Sequence, residues 1–247
     1  MITATTRLVA LLGHPVDHSL SPRMQDAAFA ARALDWAYVA CDVESDALPE
    51  AVAGLRALGF VGGNVTIPHK GAVAELCDDL DELSRRSCAV NTLVFRDGRI
   101  VGANTDGPAV ASVLDAHGAD ALVLGRGGAA RAVAVALEDA GAASVRLASR
   151  SDADWPPASD DATILVNATP LRDEVPVAPR RGQQVADLAY RADGRPTALV
   201  AGAREAGCET VVDGLEILVR QGAAAFELWT GVAAPLDAMR AAVARIV

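Results

Sequence analysis

The chain is almost without lysine, because 21 of its 22 basic residues are arginine and only Lys70 is lysine. Arginine does not deprotonate in proteins, whereas an ammonium group can lose its proton when its surroundings lower its pKa. Lys70 is therefore the first candidate for a group that moves a proton. The alternative is a solvated surface lysine without a chemical role.

Long apolar runs, paired cysteines and excess positive charge are missing as well. The apolar run after Arg7 has only five residues, too short for a signal peptide or a membrane span. The four cysteines form no CxxC pair and have no histidine at ligand spacing, which argues against disulfides and metal sites. A net charge of -10 disfavours nucleic acid and anionic membranes. We therefore expect a cytoplasmic protein that binds neither nucleic acid nor membranes.

Alternating β-branched runs and Ala-rich stretches predict α/β layers with mainly parallel strands, arranged in two units. We expect strands at 7–13, 37–43 and 62–67, helices at 21–33, 48–57 and 68–80, and a hairpin turning at Asp97-Gly98. After Asp106, a helix at 108–118 leads into a strand, a glycine turn and a further helix. Trp155-Pro156-Pro157 forbids a crossover helix between 151 and 161. The sheet of the second unit is therefore abridged on its adenine side, or the connection is an irregular loop.

The glycine turn is typical of a Rossmann opening. Gly125, Gly127 and Gly128 follow an apolar strand and precede a helix, whose first amides can face a pyrophosphate. The alternative is a tight turn without a ligand. The next strand ends in the residues 149–151, Ser-Arg-Ser, which favour a 2′-phosphate, although two acids follow at 152 and 154.

Lys70 ends a segment in which Asn64 and Thr66 lie on a strand and Pro68 begins a helix. A helix N-terminus would lower the pKa of Lys70, while a nearby carboxylate would raise it. Asn64 and Thr66 could instead be ordinary polar residues at a strand edge. We expect His69 to face solvent.

Two more polar clusters lie where apolar runs stop, at His18–Pro22 and around the hairpin at 91–92 and 104–106. Ser21 is expected to cap the first helix, while Ser19 lies outside the cap and keeps its hydroxyl available. Asp106 could be only the N-cap of the next helix.

Eight motifs resemble those of the shikimate dehydrogenase family, in the same order and with nearly the same spacing, over almost the whole chain. They are GHPVDHSLSP, GGNVTIPHK, AVNT, GANTDG, GRGGAAR, NATP, DLAY and GLEILVRQGAAAFELWTG. The resemblance implies reduction of 3-dehydroshikimate with NADPH, in chorismate and aromatic amino acid biosynthesis.

The resemblance also implies roles for particular residues. Lys70 and Asp106 would be the catalytic pair. Substrate would be bound by Ser19, Ser21, Asn64, Thr66, Asn91 and Gln221, with Tyr190 nearby. The cofactor would be bound by Gly125, Arg126, Gly127, Gly128, Ala129, Ser149, Arg150, Ser151 and Gly214. Departures from the family pattern fall on the cofactor side, at Arg126, at 149–151 and at Arg172.

Because Gln221 lies far along the chain from the other substrate residues, the C-terminal helices should return to the first domain. We place a substrate-binding catalytic domain at 1–106, completed by 214–247, and an NADP-binding Rossmann-like domain at 107–213. NAD is the alternative cofactor, and the chain is expected to be a monomer or homodimer. Quinate dehydrogenase, aminoshikimate dehydrogenase and a non-catalytic nucleotide sensor are the alternative functions.

Overall fold

One β-sheet lies in each of two units of the chain. The computed structural model describes residues 2–244. The first unit contains residues 2–105 and 219–244, and the second contains 106–218. Both are α/β units with parallel-rich sheets, which confirms the predicted fold class.

The secondary structure follows the predicted alternation in most places. The strands are β1 Arg7–Gly13, β2 Trp36–Asp42, β3 Gly62–Val65, β4 Asp79–Leu80, β5 Thr92–Arg96, β6 Arg99–Ala103, β7 Asp120–Leu124, β8 Ser144–Ala148, β9 Ile164–Asn167, β10 Gln184–Asp187 and β11 Thr210–Val212. The α-helices are α1 Ser21–Ala31, α2 Leu48–Ala57, α3 Glu82–Ser87, α4 Asp106–Ala111, α5 Gly128–Asp139, α6 Ala198–Ala206, α7 Gly214–Thr230 and α8 Leu236–Ala244. Within residues 2–244, no helix combines the length and the apolar character that crossing a bilayer requires.

The first unit has a mixed sheet of order β2-β1-β3-β5-β6-β4. β1 pairs in parallel with β2 and β3, whereas β5 is antiparallel to both β3 and β6. Asp97 and Gly98 join β5 to β6 with φ values of 52° and 75°, the left-handed conformation that a tight hairpin turn needs. As a result, the carboxyl ends of β1, β3 and β6 and the amino end of β5 lie at one edge of the sheet.

The helix predicted over 68–80 is wrong. Residues 67–71 form turns, a short 3-10 helix spans Ala72–Leu76, and β4 follows. Gly71 lowers the helix propensity of the segment. The Asp78 N–H also donates to the carbonyl oxygen of Ile100 at 2.8 Å, which draws the chain onto the edge of the sheet. The first residues after Pro68 are therefore a turn rather than a helix N-terminus.

The C-terminal helices pack on the first unit, as the position of Gln221 implied. The ring of Phe226 in α7 stacks on Phe29 in α1 with centroids 5.5 Å apart. The indole N–H of Trp229 donates to the carbonyl oxygen of Leu93 in β5 at 2.9 Å. These contacts fix α7 against both the helical layer and the sheet.

The second unit has a parallel five-stranded sheet of order β11-β10-β9-β7-β8, as in a Rossmann-like fold. Successive residues of β7 enter two apolar clusters, Ala121 and Val123 in one, Leu122 and Leu124 in the other, because both sheet faces are covered. β8 is the edge strand and the chain from 151 to 161 is an irregular loop without a helix, as the Trp155-Pro156-Pro157 segment predicted. The helix expected at 108–118 instead runs from Asp106 to Ala111.

Replacing Trp229 with phenylalanine should lower the free energy of unfolding by about 1 to 3 kcal/mol, because the buried carbonyl of Leu93 loses its indole donor. Urea denaturation measures the change. The control is Trp155→Phe, since the Trp155 indole N–H donates no hydrogen bond within residues 2–244. Equal effects of the two substitutions would show that the Trp229 hydrogen bond contributes nothing to the attachment of α7.

Candidate active site

A buried network of polar side chains lies at the edge of the first sheet where β1, β3 and β6 end and β5 begins. Asn64, 6% exposed, donates from Nδ2 to the carbonyl oxygen of Asn91 and to Thr92 Oγ1, both at 3.1 Å. Its Oδ1 accepts from the Tyr38 hydroxyl at 2.8 Å. Asn64 therefore joins β2, β3 and β5 through its side chain.

Asn91 is the centre of the same network and is 2% exposed. Its Oδ1 accepts from the Thr105 N–H at 2.8 Å, and its Nδ2 donates to Thr105 Oγ1 at 2.9 Å. Nδ2 also lies 3.4 Å from Oε1 of Gln221 in α7. The structure thus brings together the predicted residues Asn64, Asn91 and Gln221 from three distant parts of the sequence.

Tyr38, Thr92 and Thr105 belong to this network, although the sequence assigned none of them to the site. Thr92 and Thr105 stand within the polar clusters noted around the hairpin, which was the available signal. Tyr38 lies in an apolar strand and is 3% exposed. Its hydroxyl needs a buried partner, but only the pairing of β2 with β1 and of β1 with β3 shows that this partner is Asn64.

Lys70 lies in the turn after β3 and is partly buried. Its carbonyl oxygen accepts from the Val90 N–H at 2.8 Å, which places the backbone of Lys70 beside the residue preceding Asn91. Because this segment is a turn, Lys70 does not lie at the helix N-terminus that the sequence predicted. Thr66 begins the turn, with its carbonyl oxygen accepting from the His69 N–H at 2.9 Å.

His69 does not face solvent, contrary to the prediction. It is 1% exposed, and its Nε2 lies 2.7 Å from the carbonyl oxygen of Val43. The ring anchors the turn that carries Lys70 to the segment after β2. Its role in the structure is therefore to hold the turn.

Ser19 and Ser21 lie in the connection from β1 to α1, at the same sheet edge. The His14 N–H donates to the carbonyl oxygen of Ile67 at 3.0 Å, so this connection runs beside the turn after β3. Ser21 is the first residue of α1 rather than its cap, and Ser19 Oγ accepts from the Ser21 N–H at 3.2 Å. The predicted capping role of Ser21 is therefore wrong.

In the second unit, Asp106 begins α4 and is buried. Tyr190 and Gly214 line a cavity of about 80 Å³ formed by the loop after β10, the start of α6 and the start of α7. A Cβ at Gly214 would overlap the carbonyl oxygen of Ala189, which explains the need for glycine at this position. The structure brings Tyr190 and Gly214 to one cavity, although the sequence assigned them to different ligands.

Asp187, at the carboxyl end of β10, is a fully buried acid that the sequence did not single out. Burial raises its pKa to about 6, against the hydrogen bonds from Thr197, Ala189 and Asn167, which lower it. Asn167 Nδ2 donates to its Oδ1 at 2.8 Å, and Asn167 Oδ1 accepts from the Thr169 N–H at 3.0 Å. Asp187 therefore fastens the loops that follow β9 and β10.

The turn between β7 and α5 fits a pyrophosphate. Gly125 has a φ of 121°, which only glycine adopts without strain, and its N–H donates to the carbonyl oxygen of Ala148 at 2.7 Å. Gly127 caps α5 without any side-chain hydrogen bond, and a Cβ there would meet open space. The amides at Gly128 and Ala129 begin the helix, where the helix dipole favours an anion.

The end of β8 carries paired charges of both signs. Arg150, 61% exposed, donates to Glu174 at 3.1 Å. Arg126 instead pairs with Asp152 through two hydrogen bonds of 3.1 and 2.8 Å. The Ser149 and Ser151 hydroxyls are 2.7 Å apart. Both predicted arginines therefore already have an acidic partner in this structure.

Family models and curated relatives both identify the chain as a member of the shikimate dehydrogenase family. The family model of the shikimate dehydrogenase substrate binding domain matches residues 11–93, and that of the shikimate 5′-dehydrogenase C-terminal domain matches 214–244. The shikimate dehydrogenase (NADP(+)) of Moorella thermoacetica is 43% identical over 96% of this chain and 92% of its own. The shikimate dehydrogenase (NADP(+)) of an Anaeromyxobacter species is 44% identical over 99% of this chain and 98% of its own.

Among solved structures, the shikimate 5-dehydrogenase of Thermus thermophilus in complex with NADP(H) and shikimate is similar to this chain with a TM-score of 0.86. The two chains are 33% identical, over 98% of this chain and 100% of the other.

Replacing Asp187 with asparagine should change how stability depends on pH. Since the folded-state pKa of Asp187 is raised above its unfolded value, the protonated acid stabilises the fold at low pH and this contribution is lost as the pH rises through about 6. The stability of the wild type relative to the variant should therefore fall by about 2 to 3 kcal/mol between about pH 4 and pH 7.5. Urea denaturation across this range measures it, and a difference independent of pH would contradict the assignment.

Proposed function

Because the chain belongs to the shikimate dehydrogenase family, we propose that it interconverts 3-dehydroshikimate and shikimate with NADP as cofactor. The observation that carries this proposal is the buried Asn64–Asn91–Gln221 network beside the turn of Lys70. Several hydrogen-bonding side chains meet at one sheet edge, as recognition of a small polyhydroxylated acid requires.

Two residues handle the proton in this proposal. When bound, NADPH supplies the hydride that reduces the ring ketone. Lys70 donates a proton to the oxygen as negative charge develops there, and Asp106 acts with Lys70 in that transfer. The partly buried position of Lys70 supports this role, because a donor must be held in place against its substrate.

The remaining substrate contacts are assigned chiefly to residues at one edge of the sheet in the first unit. We assign the substrate hydroxyls and carboxylate to Ser19, Ser21, Asn64, Thr66, Asn91 and Gln221, with Tyr190 nearby. The domain roles follow from this assignment: the first unit binds substrate and the second binds the nucleotide.

The cofactor residues lie on three segments of the second unit. The backbone of Gly125, Gly127, Gly128 and Ala129 is assigned to the pyrophosphate, Arg126 and residues 149–151 to the 2′-phosphate, and Gly214 to the wall beside the nucleotide. The uncapped start of α5 supports the first of these assignments.

We also propose a cytoplasmic location. No disulfide joins the four cysteines, all of which lie within residues 2–244, and this is the expected state in a reducing compartment.

Initial rates with shikimate and with quinate, each measured with NADP and with NAD, test the proposed reaction. The largest kcat/KM should be obtained with shikimate and NADP. A larger value with quinate would move the chain to the related quinate reaction. Nucleotide binding without turnover of either acid would identify a non-catalytic sensor.

Replacing Lys70 with alanine should lower kcat about a hundred- to ten-thousand-fold with little change in substrate KM, because a general acid acts mainly in the transition state. The matched variant Lys70→Arg keeps a cation that does not deprotonate, so it should be impaired as well. A kcat within about threefold of wild type in either variant would exclude proton transfer by Lys70.

Replacing Asp106 with asparagine should also lower kcat. If Lys70 and Asp106 act as a unit, the double variant should lose much less than the product of the two single losses. Steady-state kinetics of the four proteins measure this coupling. Fully multiplicative losses would mean that the two residues act independently.

Replacing Gln221 with alanine should chiefly raise substrate KM, with a loss of about 1 to 3 kcal/mol in binding, because an amide donates and accepts hydrogen bonds but transfers no proton. Gln184→Ala is the control, since Gln184 begins β10 in the second unit and its side chain accepts a hydrogen bond from the Asp115 N–H. Unchanged KM and kcat in the Gln221 variant would place α7 outside the substrate site.

A further inference from the structure

The carboxylate of Asp152 is surrounded by the donors that a phosphate needs. The Arg126 guanidinium donates two hydrogen bonds to it, from Nε to Oδ1 at 3.1 Å and from Nη2 to Oδ2 at 2.8 Å. The Ser149 N–H donates to Oδ2 at 2.9 Å, and the Ser149 hydroxyl lies 3.4 Å from Oδ1. A forked guanidinium, a backbone amide and a hydroxyl are typical ligands of a phosphate group.

This set of donors lies where a Rossmann fold contacts the adenosine ribose. Ser149 directly follows β8, the strand next to β7 and its glycine turn. At this position an acid binds the ribose 2′-hydroxyl of NAD, or a nearby arginine binds the 2′-phosphate of NADP. Arg126 comes from the glycine turn itself, so its guanidinium links this turn to the segment that follows β8.

Asp152 is held in this place by its own short turn. Its N–H donates to the carbonyl oxygen of Ser149 at 3.0 Å, and its side chain is 20% exposed. The hydrogen bond from Arg126 lowers the pKa of Asp152, and the Ser149 N–H adds to this effect, so the carboxylate is charged at neutral pH. A phosphate with a charge of about -1.5 to -2 cannot share these donors with it without strong repulsion.

We propose that Asp152 is an internal occupant of the adenosine 2′-phosphate site, which NADP must displace from Arg126 and Ser149 in order to bind. The proposal rests on the nucleotide assignment made under the proposed function. It makes Asp152 a specificity-determining residue: its carboxylate reduces the preference for NADP and leaves an acceptor for the 2′-hydroxyl of NAD. Arg150, held by Glu174, is then secondary to Arg126 in recognition of the phosphate.

Calorimetric titration of the full chain with adenosine 2′,5′-bisphosphate and with adenosine 5′-monophosphate tests this directly, without substrate or turnover. The ratio of the two affinities isolates the contribution of the 2′-phosphate. In Asp152→Ala this ratio should shift toward the bisphosphate by about tenfold or more. Asp152→Asn, which keeps the shape of the side chain, should shift it in the same direction.

Asp154→Ala is the matched control, because Asp154 affects Arg126 only through longer-range electrostatics. Its ratio should change by less than about threefold. Arg126→Ala should lose affinity for the bisphosphate and retain affinity for the monophosphate. If the wild type binds both probes and the ratio is unchanged in both Asp152 variants, the proposal about Asp152 is overturned and the nucleotide assignment stands. If none of the proteins binds the bisphosphate or the monophosphate, the nucleotide assignment is overturned as well.

Discussion

The side chain of Asn91 holds together parts of the first unit that are far apart in the sequence. It bonds to Thr105 at the end of the hairpin and to Gln221 in α7, and its backbone carbonyl accepts from Asn64 in β3. Each of these groups is buried, so removing one partner leaves buried donors and acceptors with fewer hydrogen bonds, at a cost typical of buried polar groups. The placement of Gln221 and the shape of this edge of the sheet depend on Asn91, while the contacts of Phe226 and Trp229 hold the rest of α7.

The second unit shows the same principle with an acid in place of an amide. Asp187 accepts hydrogen bonds from Asn167, at the end of β9, and from Thr197, at the end of the loop after β10. The loops after β9 and β10 border the edge of the sheet at which Rossmann folds bind nucleotides. In each unit, therefore, buried polar bonds position the loops, while apolar clusters hold the sheet and helices behind them.

Local sequence patterns predicted most elements, because their causes are local. Asp97-Gly98 determines the hairpin through its own backbone preferences, and Gly125 determines the first turn of the Rossmann unit. The segment after Pro68 could not be predicted in this way, since the bond from Asp78 to Ile100 and the bond from His69 to Val43 depend on chain folding. Among the candidate site residues, those that lie within the eight motifs could be predicted from the sequence.

The sequence could not show that Asn64 bonds to Tyr38, or which acid each arginine on the cofactor side would select. In the proposed function, the first unit binds the acid and the second binds the nucleotide. Hydrogen–deuterium exchange of the full chain, with shikimate alone and with NADP alone, measures this most directly. Shikimate should protect peptides around 64–70, 89–92 and 219–223, and NADP should protect 125–130 and 149–152. Protection by shikimate confined to the second unit, or by NADP confined to the first, would contradict the account.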